Sequence, residues 1–122
     1  MNKEYVNRLV DLTNPEKDII YNMSREEATE LIKTDDARAA RKIDGQFALV
    51  AREGKKIFLA RSIGRPLRFF IAKLSDGPCL VIADRIDQIH AYLKQEGLED
   101  QFHPSYTRMA PAHYITSIEL LG

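Results

Sequence analysis

The 122-residue sequence has little cysteine, no long apolar run and no net charge. Its one cysteine, Cys79, has no partner for an intramolecular disulfide, which favours a reducing, cytoplasmic setting. No apolar stretch approaches the roughly 20 residues of a membrane span, and the first residues lack the basic-then-apolar pattern of a signal peptide. We therefore expect a cytoplasmic protein with a single domain over residues 1–122 and no membrane association.

The zero net charge hides an uneven distribution. Residues 38–73 contain ten basic and two acidic residues, so this segment carries +8 and the remainder carries −8. A basic segment of this kind could bind nucleic acid, and we keep that function as an alternative. However, the basic residues are spread over several predicted elements, and no aromatic stacking stripe accompanies them. Packing of acidic helices beside basic strands is the simpler explanation.

The first third of the chain, residues 1–43, is predicted to be helical. Asn2 is a candidate cap for a first helix, whose apolar face would consist of Val6, Leu9 and Val10. Asn14-Pro15 is a preferred helix start. Ser24 and Glu27 have the spacing of a capping box, which predicts a further helix directly after Ser24.

From Gly45 onward the periodicity changes from helical to strand-like. Residues 44–84 contain four apolar segments separated by glycine-containing turns: Gln46–Ala51, Lys56–Arg61, Leu67–Ala72 and Cys79–Ala83. These segments are apolar on both faces, which is typical of strands that lie between two layers. Asp84 is expected to cap a helix over residues 85–96, and residues 113–120 are expected to form the last strand. The order predicts an α+β fold of antiparallel sheet or sheets with flanking helices.

The segment Asp44–Leu67, with the sequence DGQFALVAREGKKIFLARSIGRPL, carries a family resemblance. It resembles the segment D-G-x-F-A, then L-A-R-D-x-x-G-x-R-P-L, of class II glutamine amidotransferase domains, especially those of the asparagine synthetase type. Cys79–Ile89 is similar to the strand-into-helix segment of that family, and Met109–Ile118 is similar to its P-P-G-H-Y segment. The resemblance covers about residues 40–119, the second half of such a domain. Two departures occur, Ser62 for an aspartate and Ala112 for a glycine.

The resemblance implies the fold of the N-terminal nucleophile hydrolases, in which helices lie outside two facing antiparallel sheets. We expect a truncated form of that sandwich. Family members release ammonia from glutamine with an N-terminal cysteine, whereas this chain begins Met1-Asn2 and has its cysteine at position 79. We therefore expect a degenerate, non-hydrolytic module, a pseudoenzyme with no catalytic residues, no cofactor and no metal site. Its role would be that of a binding, regulatory or interaction subunit.

Three arginines in or beside the resembling segment are the candidate residues for a small anionic ligand or an interface: Arg61, Arg65 and Arg68. Their pairing with the acidic remainder of the chain is an equal alternative. Because the strands of the family's first half are missing, an apolar face or an open sheet edge should remain, and we expect a homodimer. An ATP-dependent synthetase is a second candidate partner. The enzyme alternative is one piece of a split amidotransferase, whose other piece would supply the cysteine.

Overall fold

The computed structural model describes residues 5–34, 36–74 and 77–120, which form three sheets and two α-helices. This confirms the α+β class. The helices are α1 (Arg25–Leu31) and α2 (Ile86–Gln95), and short 3₁₀ turns lie at Pro15–Lys17, Ala39–Lys42, Glu99–Gln101 and Pro104–Tyr106. The first five strands are β1 (Tyr5–Val6), β2 (Arg8–Asp11), β3 (Ile19–Ile20), β4 (Gly45–Gln46) and β5 (Ala48–Glu53). The others are β6 (Lys56–Arg61), β7 (Arg68–Leu74), β8 (Gly77–Ala83), β9 (Arg108–Met109) and β10 (Thr116–Leu120).

Two four-stranded sheets form the body of the described chain. The first has the strand order β1-β10-β6-β5 and the second has the order β2-β8-β7-β9, while β3 and β4 form a separate two-stranded ribbon. The β1–β10 and β2–β8 pairs are parallel, and the remaining pairs are antiparallel. The expectation of purely antiparallel sheets was therefore wrong for one pair in each sheet.

The helical prediction for residues 1–43 was wrong at its start. Residues 5–11 form β1 and β2, and between them the Asn7 N–H donates to the Pro78 carbonyl at 2.7 Å. Val6 lies opposite Leu120 in one sheet, and Leu9 lies opposite Leu80 in the other. Hydrogen bonding to the edges of neighbouring strands stabilises an extended backbone here more than the helical spacing of a few apolar residues stabilises a helix. The proposed cap, Asn2, lies outside the described residues.

The predicted strand Gln46–Ala51 is two strands with a break at Phe47. Gly45 pairs with Ile20 in the ribbon, before β5 enters the first sheet. A side chain at Gly45 would place its Cβ 2.1 Å from the Ile19 carbonyl oxygen, and the backbone there has φ of +146°. This close approach requires glycine.

Two of the predicted helix starts, those at Ser24 and Asp84, had different outcomes. At α1 the capping box is confirmed, because Ser24 Oγ accepts from the Glu27 amide at 3.0 Å and Glu27 Oε1 accepts from the Ser24 amide at 3.4 Å. At α2 the cap position is Arg85, whose amide donates to Gln88 Oε1 at 2.9 Å. Asp84 is therefore not the cap. Its buried carboxylate contacts Arg65 and the Asn14 amide instead.

Buried apolar side chains form three clusters, which separate four layers. One cluster fills the space between the two sheets and includes Val6, Leu59, Phe69 and Ile118. A second joins the outer face of the first sheet to α1 and the 3₁₀ turn at Ala39–Lys42. A third joins the outer face of the second sheet to α2. Both outer faces are covered, so of the two expected alternatives, an apolar face or an open sheet edge, the structure favours the open edge.

The sheets retain open edges. In the first sheet β5 is an outer strand of six residues. Phe47 accepts from the Ser62 amide across the β5–β6 pair, so the alternate residues Val50 and Arg52 present their backbone groups to the open side. No helix of the described chain is both long and apolar enough to cross a bilayer.

Candidate functional site

A buried ionic network lies at the corner between β6 and β7. Arg65, in the Gly-Arg-Pro corner, is 8% exposed, and its guanidinium lies between Asp18 and Asp84. Its Nη2 atom lies 3.2 Å from Asp18 Oδ1 and 2.9 Å from Asp84 Oδ1. The contact with Asp84 is an ion pair without hydrogen-bond alignment, whereas those with Asp18 are hydrogen bonds.

The same carboxylates bind backbone groups from distant parts of the chain. Asp18 accepts from the Ala48 amide at 3.0 Å and from Arg25 Nε at 3.0 Å. Asp84 Oδ2 accepts from the Asn14 amide at 2.9 Å, and the Asn14 carbonyl accepts from Arg65. The network therefore joins the loop before β3, the start of β5, the β6–β7 corner and the end of β8.

This network was not predicted from the sequence. Asp18 lies in the region predicted to be helical but precedes a two-residue strand, and the position of Asp84 predicts a helix cap. Their common partner, Arg65, is distant from Asp18 in sequence, so no local spacing indicates the contact. The one available signal is the uneven charge distribution. It predicts that basic residues of the segment 38–73, these arginines among them, pair with acidic residues elsewhere in the chain.

Arg61 fixes the neighbouring loop. Its Nε donates to the Ala110 carbonyl at 2.6 Å, and its Nη1 donates to the Ser62 and Ile63 carbonyls at 3.1 and 3.3 Å. The Arg61 carbonyl accepts from the His113 amide at 2.8 Å. Arg61 therefore holds the end of β6 against residues 110–113, which belong to the last of the family-like segments.

Arg68 has different surroundings. It lies on β7 opposite Ala83 and Met109, is half-buried, and forms no side-chain hydrogen bond or ion pair within the described chain. The three predicted arginines thus have three separate environments. An external anion at Arg61 or Arg65 would have to displace internal oxygen acceptors, so among the three Arg68 offers the most accessible guanidinium.

Ser62 bridges two strands from a buried position. Its hydroxyl accepts from the Phe47 amide at 2.9 Å and lies 3.3 Å from Gln46 Oε1. The Phe47 carbonyl accepts from the Ser62 amide at 2.9 Å. The hydroxyl thus satisfies a buried amide at the point where the chain passes from the ribbon into β5.

The thiol of Cys79 is 2% exposed, in the cluster beneath α2. Tyr92 of α2 lies near it, in a shallow cleft of about 360 Å³ that both residues line. Burial raises the pKa of Tyr92 above its ordinary value of 10.0, and the neighbouring Cys79 and Glu96 raise it further. This surrounding is that of an inert packing thiol rather than a nucleophile.

The three histidines lie in separate places and serve local contacts. His90 lies 2.9 Å from Glu99 and stacks on Phe102, while His103 accepts from the Ser105 amide at 3.1 Å. His113 has a positive φ of 63°, in the family-like segment that has Ala112 in place of glycine. Among the described residues, no group of three His, Cys, Asp or Glu side chains is placed to hold a metal ion.

The basic residues of segment 38–73 do not converge on one surface. They occupy the 3₁₀ turn at Ala39–Lys42 outside the first sheet, β5 and β6 within it, and β7 in the second sheet. Arg41 stacks on Tyr114, with its Cζ 4.8 Å from the ring centroid, and Arg61 and Arg65 bind internal acceptors. This distribution gives no continuous basic groove of the kind that tracks a nucleic-acid backbone.

Comparisons with known proteins add no further identification. No family model, curated protein or solved structure matches the chain.

Proposed function

We propose that this chain is a non-hydrolytic module related to class II glutamine amidotransferases of the asparagine synthetase type, and that it serves as a binding or interaction subunit. The observation that carries the proposal is the position of Cys79. It is the one cysteine in the sequence, and its side chain lies beneath α2, away from solvent. A thiol in that position is too buried for the nucleophilic attack that hydrolysis requires.

The layers and the family-like residues give further support. Two facing sheets with helices on their outer faces are the arrangement that the resemblance implies, in a truncated form. Arg61, Ser62 and Arg65 of the resembling segment all bind internal partners. These contacts stabilise the fold and need no catalytic role. A module without hydrolytic activity would retain contacts of this kind.

An ammonia-release assay tests the absence of hydrolysis. The purified chain is incubated with L-glutamine, and ammonia is followed by a coupled dehydrogenase, with Cys79→Ser as the matched control. We expect no release above the buffer rate for either protein. Release by the wild-type chain that is abolished by a thiol alkylator and by Cys79→Ser would overturn the proposal. Release that both proteins show equally, and that an alkylator abolishes, would favour a contaminating enzyme and would require repurification.

The interaction role is proposed to use the open edge of β5, as a homodimer or with a synthetase partner. An edge strand of six residues with unpaired backbone groups is a template for a further strand. Light scattering after size-exclusion chromatography gives the mass in solution. We expect a dimer for the wild type and for Arg52→Ala, and a monomer for Arg52→Pro, because proline removes an outward N–H without touching the β5–β6 pairing. A monomeric wild type would refute the homodimer.

A further inference from the structure

The second sheet contains a one-residue gap at its β9 edge. β9 pairs with β7 only at Arg68 and Phe69, and next to that pair the Leu67 carbonyl accepts from the Ala110 amide at 2.9 Å. Further along β7, Lys73 has a side chain as its partner. Gln101 Oε1 accepts from the Lys73 amide at 2.7 Å, and Gln101 Nε2 donates to the Lys73 carbonyl at 2.6 Å. The carboxamide of Gln101 therefore takes the place of a strand at that position.

Between these two partners lies Ile71. Backbone groups alternate sides along a strand, so Ile71 faces the same side as Leu67 and Lys73. The pairing of β8 gives the same orientation. The Pro78 and Ile82 carbonyls accept from the amides of the residues on either side of β2, so the alternate residue Leu80, which lies opposite Ile71, faces β2 as well. In the part of the chain that the structure describes, neither the N–H nor the C=O of Ile71 has a partner across this edge.

The gap opens into a cleft of about 580 Å³, which is a size typical of small-molecule sites. Lys73 and Arg108 line it with positive charge and Asp100 with negative charge, so it has a net charge of +1. Arg108 lies over the Phe69 ring, with its Cζ 6.0 Å from the centroid. Tyr106, which is 66% exposed, adds an aromatic wall. Hydrogen-bonding, cationic and apolar groups thus converge here.

We propose that this cleft binds a small carboxylate that contains one secondary amide, such as an N-acylated amino acid or a dipeptide. The ligand N–H would donate to the Ile71 carbonyl, and a carboxylate oxygen, in the place of a strand residue's carbonyl oxygen, would accept from the Ile71 N–H. The carboxylate would also lie near Lys73, and the ligand side chain against Tyr106.

The length of the gap at Ile71 fits a small carboxylate with one amide better than an extended peptide. Phe69 and Lys73 lie four residues apart, or roughly 13 Å at the strand rise of about 3.3 Å per residue. Both positions are already filled, by β9 and by Gln101, so one residue can pair between them. A longer strand would have to displace one of these partners. The site lies outside the residues that carry the proposed function, so each proposal stands or falls without the other.

A series of three probes separates the expected contacts. N-acetyl-L-leucine has both the amide and the carboxylate, N-acetyl-L-leucinamide lacks the carboxylate, and L-leucine lacks the acyl amide. In a titration followed by ¹⁵N–¹H correlation spectra, we expect the first probe to shift the Ile71 amide resonance and to bind about tenfold more tightly than either of the others. No binding at millimolar concentration, equal binding of all three, or shifts confined to other residues would overturn the proposal.

Variants test the assignment of each group. Lys73→Met should remove the preference for N-acetyl-L-leucine over its amide, whereas Lys55→Met, at the exposed β5–β6 turn, should leave it unchanged. Ile71→Pro removes the outward N–H and should weaken binding of both acetylated probes about tenfold, while Ile71→Val should not. If Ile71→Pro does not fold, the Lys73 pair decides alone. A preference that persists in Lys73→Met would refute the site.

Discussion

The Nη2 atom of Arg65 lies 2.9 Å from Oδ1 of Asp84, and the same atom lies 3.2 Å from Oδ1 of Asp18. The Arg65–Asp84 pair connects the corner before β7 to the residue that follows β8. Because all three side chains are nearly excluded from water, each charge depends on the others for compensation. The Arg-Pro dipeptide of the family-like segment therefore serves as a structural connection in this chain.

Replacement of Arg65 by methionine should destabilise the fold by about 3–5 kcal/mol, since it leaves the buried Asp84 without a cation and Asp18 with Arg25 alone. The matched control is Arg85→Met, which removes an ion pair whose side chains are both more than 60% exposed and should change stability by less than about 0.5 kcal/mol. Urea unfolding followed by circular dichroism gives both values. Similar losses for the two variants would contradict the assigned role of Arg65.

The hydroxyl of Ser62 should be worth about 1–3 kcal/mol, because Ser62→Ala leaves the buried Phe47 amide without an acceptor. Ser117, an exposed serine on β10, is the control, and its replacement by alanine should cost only a few tenths of a kcal/mol. Hydrogen exchange provides a second measurement, in which the Phe47 amide should lose protection in Ser62→Ala alone. Unchanged protection would show that the amide finds another acceptor.

Two glycines with positive φ should respond differently to alanine. Gly45→Ala places a Cβ against the Ile19 carbonyl and should cost more than about 2 kcal/mol, because backbone on both sides must move. Gly54 lies in the β5–β6 turn with φ of +58° and open space around it, so Gly54→Ala should cost about 1 kcal/mol from the left-handed backbone alone. Thermal unfolding of the two variants compares them. Equal costs would show that the ribbon is not closely packed.

The raised pKa of Tyr92 predicts a pH dependence of stability. A folded-state pKa above the unfolded value of 10.0 means that the folded protein holds the proton more tightly. The resulting stabilisation is present below pH 10 and is lost as the pH rises through the folded-state pKa. Between pH 9 and about 11.5 the wild type should therefore lose more unfolding free energy than Tyr92→Phe. A parallel decline of the two proteins would contradict this. Because the sequence has five tyrosines, the difference in absorbance at 295 nm between the two proteins follows the ionisation of Tyr92.

The central strands and the two longest helices could be predicted because their signals are local. The run Lys56–Arg61 is apolar and bounded by turns, and it forms β6 with those bounds. Ser24 and Glu27 satisfy each other within one turn, so their spacing alone identifies the start of α1. In both cases the residues that decide the structure are close neighbours in sequence.

The rest depends on contacts between distant residues. Val6, Leu9 and Val10 have helical spacing, yet the edges of β10 and β8 determine that residues 5–11 are extended. Asp84 has the position of a helix cap, but Asn14 and Arg65 attract its carboxylate. The gap at Ile71 has no sequence signal, because it depends on where Gln101 and Arg108 approach β7.

The crossing of the chain at Asn7 has a consequence for biosynthesis. β1 pairs with β10, close to the last described residue, while β2 pairs with β8 in the opposite sheet. A nascent chain that has emerged only as far as α2 can complete the β2–β8 contact, but β1 then has no neighbour and one side of β6 is unprotected. Pairings of such high contact order form slowly. The interval before residues 116–120 leave the ribosome is thus the period in which the incomplete polypeptide is most exposed to misassembly.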